Sequence, residues 1–176
     1  SALIVVSAGI TVSFITNPFG GILFLNQIEF LPQLISIVWI VWVMNMLNWS
    51  KGVDGQMPGI VAISAIVIGI LSLRFPIIDE PSLISAKLSF MIAGASLGFL
   101  IFNFYPAKIF PGYSATAIYL LLATVSILSS AKLATAILVM GVPMMDGIFT
   151  VARRLLTGRS IFWHDKKHLH HLLLSL

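Results

Sequence analysis

The chain has 176 residues, of which 59% are hydrophobic and only 9% are charged. A soluble domain usually carries about 25% charged residues, so this composition excludes an ordinary soluble protein and indicates an integral membrane protein. The absence of cysteine excludes disulfides and thiolate-bound metals. The formal net charge of +4 is informative mainly through the positions of the charged residues.

Apolar segments in chain order predict six membrane spans, because a transmembrane helix needs roughly 20 apolar residues, with a range of about 17–25. The first segment, residues 2–15, is short and predicts a truncated span. Turn residues then predict a turn with a short hairpin or interfacial segment over residues 16–30. The other five predicted spans cover residues 31–47, 57–73, 86–104, 114–130 and 133–149. Gly94 and Gly98, one helical turn apart, predict close helix packing.

The loops between these spans alternate between two sides of the membrane. One side, with residues 48–56, 105–113 and the tail after residue 149, carries seven of the ten Lys and Arg residues. The positive-inside rule places that side in the cytoplasm. We therefore expect an all-α, polytopic transmembrane helix bundle of about six spans, with its active loops on the cytoplasmic side. Residues 1–176 are expected to form a single transmembrane domain that is a fragment of a longer chain.

The loop over residues 45–59 is polar although it lies between two long apolar runs. It contains Asn45, Asn48, Lys51 and Asp54, together with glycines that permit tight turns. Polar groups at a membrane edge are costly and often bind a ligand. A plain turn loop remains an equally compatible interpretation.

Two later segments carry further candidate residues. Lys108, in the loop over residues 103–114, can bind a phosphate as a point charge, or it can extend towards lipid headgroups. All four histidines fall within residues 164–171, beside basic residues that can bind a diphosphate. A zinc site and a basic anchor on anionic lipid are the alternatives for this segment.

Asp146 is either a functional carboxylate or an ion-pair partner of Arg153 and Arg154.

Three of these stretches, in this order, resemble one family. Residues 45–55 read Asn-Met-Leu-Asn-Trp-Ser-Lys-Gly-Val-Asp-Gly and resemble a loop of the pattern Asn-Ala-x-Asn-x-x-Asp-Gly-x-Asp-Gly. Residues 98–110 resemble Gly-Phe-Leu-x-x-Asn-x-x-Pro-Ala-Lys-x-Phe, and residues 165–171 resemble Asp-Lys-x-His-x-His-His. The family is that of the polyprenyl-phosphate N-acetylhexosamine-1-phosphate transferases, also called membrane glycosyltransferase family 4.

The resemblance implies an enzyme of the cytoplasmic membrane that begins lipid-linked cell-envelope glycan synthesis. A polyprenyl phosphate, such as undecaprenyl phosphate, would attack the β-phosphate of a UDP-amino sugar such as UDP-GlcNAc and release UMP, with Mg²⁺ bridging the diphosphate. It implies that Asp54 is the catalytic or metal-binding carboxylate. It also implies that the nucleotide, sugar or phosphates are contacted by Asn45, Asn48, Asn103, Lys108, His168, His170 and His171. No nucleic-acid partner is expected, and a homo-oligomer stays open.

The chain departs from the family pattern at two positions. Lys51 stands where the family loop has its first aspartate, and Tyr113 stands where the family usually has a second metal-binding aspartate. The alternative to an active transferase is therefore a diverged or inactive relative that binds polyprenyl phosphate. A transporter is less favoured, because the predicted spans hold almost no charged residues to line a path.

Overall fold

The computed structural model describes residues 1–16, 21–74, 80–129 and 133–158, and the described part of the chain is mainly helical. Two short strands are the exception to the predicted all-α class. In chain order the elements are α1 (Ala2–Ser7), β1 (Phe14–Thr16), β2 (Ile22–Phe24), α2 (Leu31–Trp49), α3 (Gln56–Ser72), α4 (Glu80–Asn103), α5 (Ala115–Leu128), α6 (Leu133–Val139) and α7 (Gly141–Leu156).

The chain before α2 forms a hairpin instead of a longer helix. The prediction of a truncated span over residues 2–15 is wrong, because α1 ends at Ser7 and Gly9 follows with φ +87°. A glycine in this left-handed conformation terminates a helix, and the β-branched residues after it favour extended backbone. The predicted hairpin is confirmed in part: β1 and β2 pair antiparallel, with Phe14 opposite Phe24, but β1 begins two residues before the predicted segment.

In the part of the chain that the structure describes, two helices are long and apolar enough to cross a membrane. They are α2 with the 3₁₀ turn that continues it (Leu31–Gly52, 22 residues) and α4 (24 residues). The helices α3 and α5 are apolar but shorter. Large apolar side chains are exposed on these helices, including Val38, Ile63 and Met91. Helices that are apolar both inside and outside the bundle are typical of membrane proteins, and the number of spans stays a prediction.

The core lies between α2, α3, α4 and α5. Ile40, Val43, Val61, Leu122 and Val125 are fully buried there. Polar contacts join the same helices inside this core. The Trp39 indole N–H donates to the Ser126 hydroxyl at 2.9 Å, and the hydroxyls of Ser72 and Ser129 lie 2.7 Å apart. Hydrogen bonds between helices are worth about 0.6–2 kcal/mol each where lipid surrounds the bundle.

Three further predictions about the helices need correction. The helix α4 already begins at Glu80, within the predicted loop of residues 74–85. A Cβ added at Gly94 or Gly98 would meet no atom within 4 Å, so the close helix packing predicted there is absent from the described structure. The last predicted span, residues 133–149, is divided between α6 and α7. Pro143 accounts for this break, because it lacks an N–H for the preceding turn and is favoured only near the start of a helix.

Candidate functional site: two interlocked polar loops

The loop between α2 and α3 closes through a single turn of 3₁₀ helix, Ser50–Gly52, followed by Gly55. Gly55 has φ +74°, a left-handed conformation that other residues adopt only with strain. A Cβ at this position would lie 3.4 Å from the Leu100 side chain and 3.7 Å from that of Phe104. Gly55 therefore allows this loop to lie directly against the end of α4.

Asn103, the last residue of α4, joins the two polar loops. Its side-chain oxygen accepts a hydrogen bond from the Gly55 N–H at 3.1 Å. Its amide nitrogen donates to the Ile109 carbonyl at 2.8 Å. The residue is only 2% exposed, so both bonds are formed away from water, where an unpaired polar group would be costly.

Asp54 makes the second connection between the loops. Its Oδ2 accepts a hydrogen bond from the backbone N–H of Ala107 at 2.9 Å. The loop after α4 is also closed on itself, since the N–H groups of Lys108 and Ile109 both donate to the Phe102 carbonyl. The segments around Asp54 and Lys108, 54 positions apart in the sequence, are thus joined at one end of the helices, where Phe104 and Phe110 are also exposed.

The structure brings some of the predicted site residues together and leaves others apart. Asp54, Asn103 and Lys108 belong to the interlocked loops, and Lys108 is exposed. Asn45 and Asn48 are exposed on α2, and the Asn45 amide donates to the Val41 carbonyl of its own helix. The segment with His168, His170 and His171 lies outside the described residues.

The two positions that depart from the family pattern are both accessible. Lys51 lies half-buried in the 3₁₀ turn, three residues before Asp54. Tyr113 is 92% exposed in the loop before α5. Because the Tyr113 side chain covers so little of the protein, the surface beside it is accessible to a ligand.

Asp54 is the candidate metal ligand of the site. Within the described ranges, no group of three Asp, Glu or His residues is placed to hold a metal ion. Mg²⁺ is commonly bound by one or two carboxylates together with substrate phosphates and water. The Ala107 N–H occupies Oδ2 of Asp54 and orients the carboxylate, while Oδ1 accepts no hydrogen bond from the described residues. Asp54 therefore fits one protein ligand of such an ion.

A cavity of ≈ 260 Å³ adjoins the loops and was not predicted from the sequence. Phe110, Pro111 and Gly112 of the second loop line it on one side. The remaining lining residues come from the start of α3, the C-terminal half of α4 and the start of α5: Met57, Pro58, Ala95, Ser96, Phe99, Ser114, Ala115 and Ile118. Their spacing along the chain carries no common pattern, so only the packing of three helices reveals the cavity.

The amphipathic helix α7 packs against α2 beside the first loop. The Arg154 guanidinium lies over the Trp49 ring, 5.4 Å from its centroid, and is only 4% exposed. The rings of Trp42 and Trp49 meet edge to face at 6.4 Å. The sequence suggests an ion pair of Arg154 with Asp146 but gives no sign of its contact with Trp49.

The fold and the site define a class: a helical protein with membrane-length apolar helices and two polar loops locked together at one end. The family follows from sequence comparison. Residues 1–131 match glycosyl transferase family 4, and the chain belongs to that family.

Three relatives illustrate the range of the similarity. The chain is 29% identical to a probable undecaprenyl-phosphate N-acetylglucosaminyl 1-phosphate transferase of Bacillus subtilis, over 99% of this chain and 49% of the relative. It is 33% identical to the decaprenyl-phosphate N-acetylglucosaminephosphotransferase of Mycobacterium tuberculosis, over 100% of this chain and 49% of the relative. It is 35% identical to a phospho-N-acetylmuramoyl-pentapeptide-transferase of Levilactobacillus brevis, over 76% of this chain and 41% of the relative. The chain thus spans about half the length of these relatives.

Proposed function

We propose that the full-length protein transfers an N-acetylhexosamine 1-phosphate from a UDP-sugar to a polyprenyl phosphate in the cytoplasmic membrane. Family membership and the names of the relatives support the reaction class. Two hydrogen bonds carry the proposal for this chain. Asn103 accepts one from the Gly55 N–H and Asp54 accepts one from the Ala107 N–H, and together they join the two loops at one end of apolar helices.

The location of the loops suits the two substrates. A polyprenyl phosphate keeps its chain in the bilayer and its phosphate at the surface, whereas a nucleotide sugar is dissolved in water. Their reaction therefore needs a polar site at the end of membrane helices. In the proposed step, an oxygen of the lipid phosphate attacks the β-phosphorus of the UDP-sugar. The bond from that phosphorus to the bridging oxygen breaks, and UMP leaves with that oxygen.

We assign the roles of this step to residues of the joined loops. Asn103 holds the loops in register, and Lys108 contacts a phosphate through its exposed amino group. Asp54 would hold Mg²⁺, and the bound ion would neutralise negative charge on the diphosphate. Asn45, Asn48, His168, His170 and His171 remain proposed contacts to the nucleotide sugar.

The proposal is tested with the full-length protein in nanodiscs that contain polyprenyl phosphate. UDP-N-acetylglucosamine labelled in its β-phosphate is added with and without Mg²⁺. Transfer of sugar 1-phosphate moves the label into the lipid, whereas transfer of the sugar alone leaves the label in UDP. Lipid-borne label is the expected result.

The second candidate is a non-catalytic relative that binds polyprenyl phosphate, and Lys51 and Tyr113 favour it because they replace two acidic positions of the family pattern. Label that stays in solution with several UDP-sugars, although the lipid binds, would establish this candidate and overturn the transferase.

A further inference from the structure

Lys51 carries a positive charge that no described residue is placed to neutralise. It is half-buried in the turn between α2 and α3. No ion pair or hydrogen bond joins its amino group to the described residues. A half-buried lysine packs its apolar stem against the protein and leaves its amino group free to reach a ligand.

The charges near Lys51 are mainly positive. Asp54 is the only acidic residue of the two joined loops, residues 50–56 and 103–114. Lys108, which is exposed, adds a second lysine to the joined loops. Because the two lysines outnumber the single carboxylate, these loops favour the binding of an anion.

The two lysines are within reach of a common ligand. Lys51 precedes Asp54 by three residues, so their Cα atoms are at most about 11 Å apart. Asp54 is bonded to Ala107, the residue immediately before Lys108, at 2.9 Å. Lysine side chains are long and flexible, so amino groups from both loops can meet at one phosphate or at two linked phosphates.

We propose that Lys51 and Lys108 together bind a phosphate-ester anion, so that this protein uses a lysine charge where the family pattern has a carboxylate. The inference rests on the proposed function for the source of the anion: the diphosphate of the nucleotide sugar or the phosphate of the lipid. It assigns Lys51 a role in binding that the resemblance does not give it. Binding of the anion is then expected to persist without divalent metal.

The experiment measures binding instead of turnover, with the full-length protein in nanodiscs and EDTA present. UDP-N-acetylglucosamine is titrated in one arm and a short-chain polyprenyl phosphate in the other. Lys51→Met keeps the apolar stem and removes the charge, Lys51→Arg keeps the charge, and Lys51→Asp restores the family carboxylate. Lys87→Met is the matched control, because Lys87 is exposed on α4, about 24 Å along the helix from Asn103.

Lys51→Met is expected to weaken binding in at least one arm about tenfold or more, while Lys51→Arg and Lys87→Met stay within about threefold of the wild type. The affected arm identifies the anion. Lys51→Asp is expected to bind weakly in EDTA and to regain affinity when Mg²⁺ is added. Thermal melting of each variant separates lost binding from lost folding.

Equal affinities of the wild type and Lys51→Met in both arms would overturn the inference, and so would an equal loss with Lys87→Met. This result is separable from the proposed function. If the wild type releases UMP and Lys51→Met binds the anion as tightly as the wild type, the proposed role of Lys51 is wrong but the transfer reaction stands. If Lys51→Met binds the anion weakly and the wild type releases no UMP, the transfer reaction is wrong but the role of Lys51 in binding stands.

Discussion

The Asp54 carboxylate and the Ala107 backbone N–H are bonded at 2.9 Å, and this contact ties the α2–α3 loop to the α4–α5 loop. Asparagine at position 54 can still accept this bond, whereas alanine cannot. We therefore expect Asp54→Asn to keep the melting temperature close to that of the wild type and to abolish transfer. Asp54→Ala is expected to abolish transfer and also to lose about 1–2 kcal/mol of stability.

Thermal melting and UMP release, measured on the same samples, check this pair of variants. If Asp54→Asn turns over substrate at the wild-type rate, Asp54 is neither the catalytic nor the metal-binding carboxylate. Equal melting temperatures of Asp54→Ala and the wild type would show that the loops do not depend on this bond.

Asn103 has a structural role that is separate from any contact with substrate. Asn103→Ala leaves the Gly55 N–H and the Ile109 carbonyl without their partner. Each buried polar group left unpaired costs about 1–3 kcal/mol. We expect a clear loss of stability by thermal melting, together with loss of activity. Asn45→Ala is the control for stability alone, because Asn45 is exposed and, among the described residues, its side chain bonds to its own helix. A change of less than about 0.5 kcal/mol in the free energy of unfolding is expected.

Gly55 is required for its backbone conformation. Gly55→Ala places a side chain at φ +74° and its Cβ 3.4 Å from Leu100. We expect a loss of about 1–2 kcal/mol, because left-handed backbone strains residues with a side chain. Gly94→Ala is the matched control in the same bundle, since its Cβ meets no atom within 4 Å and alanine favours a helix more than glycine does. If Gly94→Ala is as destabilising as Gly55→Ala, the assignment for Gly55 is wrong.

Gly147 permits α7 to pack on α2. A Cβ at this position would lie 3.1 Å from the Trp42 ring, so a leucine would overlap that ring and overpack the contact between the two helices. Overpacking of this kind costs about 1–3 kcal/mol. We expect Gly147→Leu to lower the melting temperature and to change the tryptophan fluorescence. Gly141→Ala on the same helix meets no atom within 4 Å, and a comparable spectral change there would contradict the contact with Trp42.

Much of the helical architecture could be predicted because long apolar runs leave few alternatives. The prediction for residues 31–47 lies within α2, and residues 57–73 are within one residue of α3 at each end. Predictions failed where a local signal overrode hydropathy. Gly9 ended the first helix early, and Pro143 separated α6 from α7. Apolar composition is insensitive to such backbone effects.

The candidate site was predicted only in part. Residue patterns singled out Asp54, Asn103 and Lys108, but their spacing along the chain does not show that Asp54 bonds to the loop that carries Lys108. The contact between Trp49 and Arg154 and the cavity beside Phe110 had no sequence signal. Such features depend on how distant helices pack, and this information is not contained in any single segment.

The most direct test of the central claim is to identify the nucleotide that the full-length protein releases from UDP-N-acetylglucosamine in nanodiscs, with and without polyprenyl phosphate. Transfer of sugar 1-phosphate predicts UMP that forms only when the lipid is present and is lost in Asp54→Asn. Release of UDP, or no nucleotide release although both substrates bind, would contradict it.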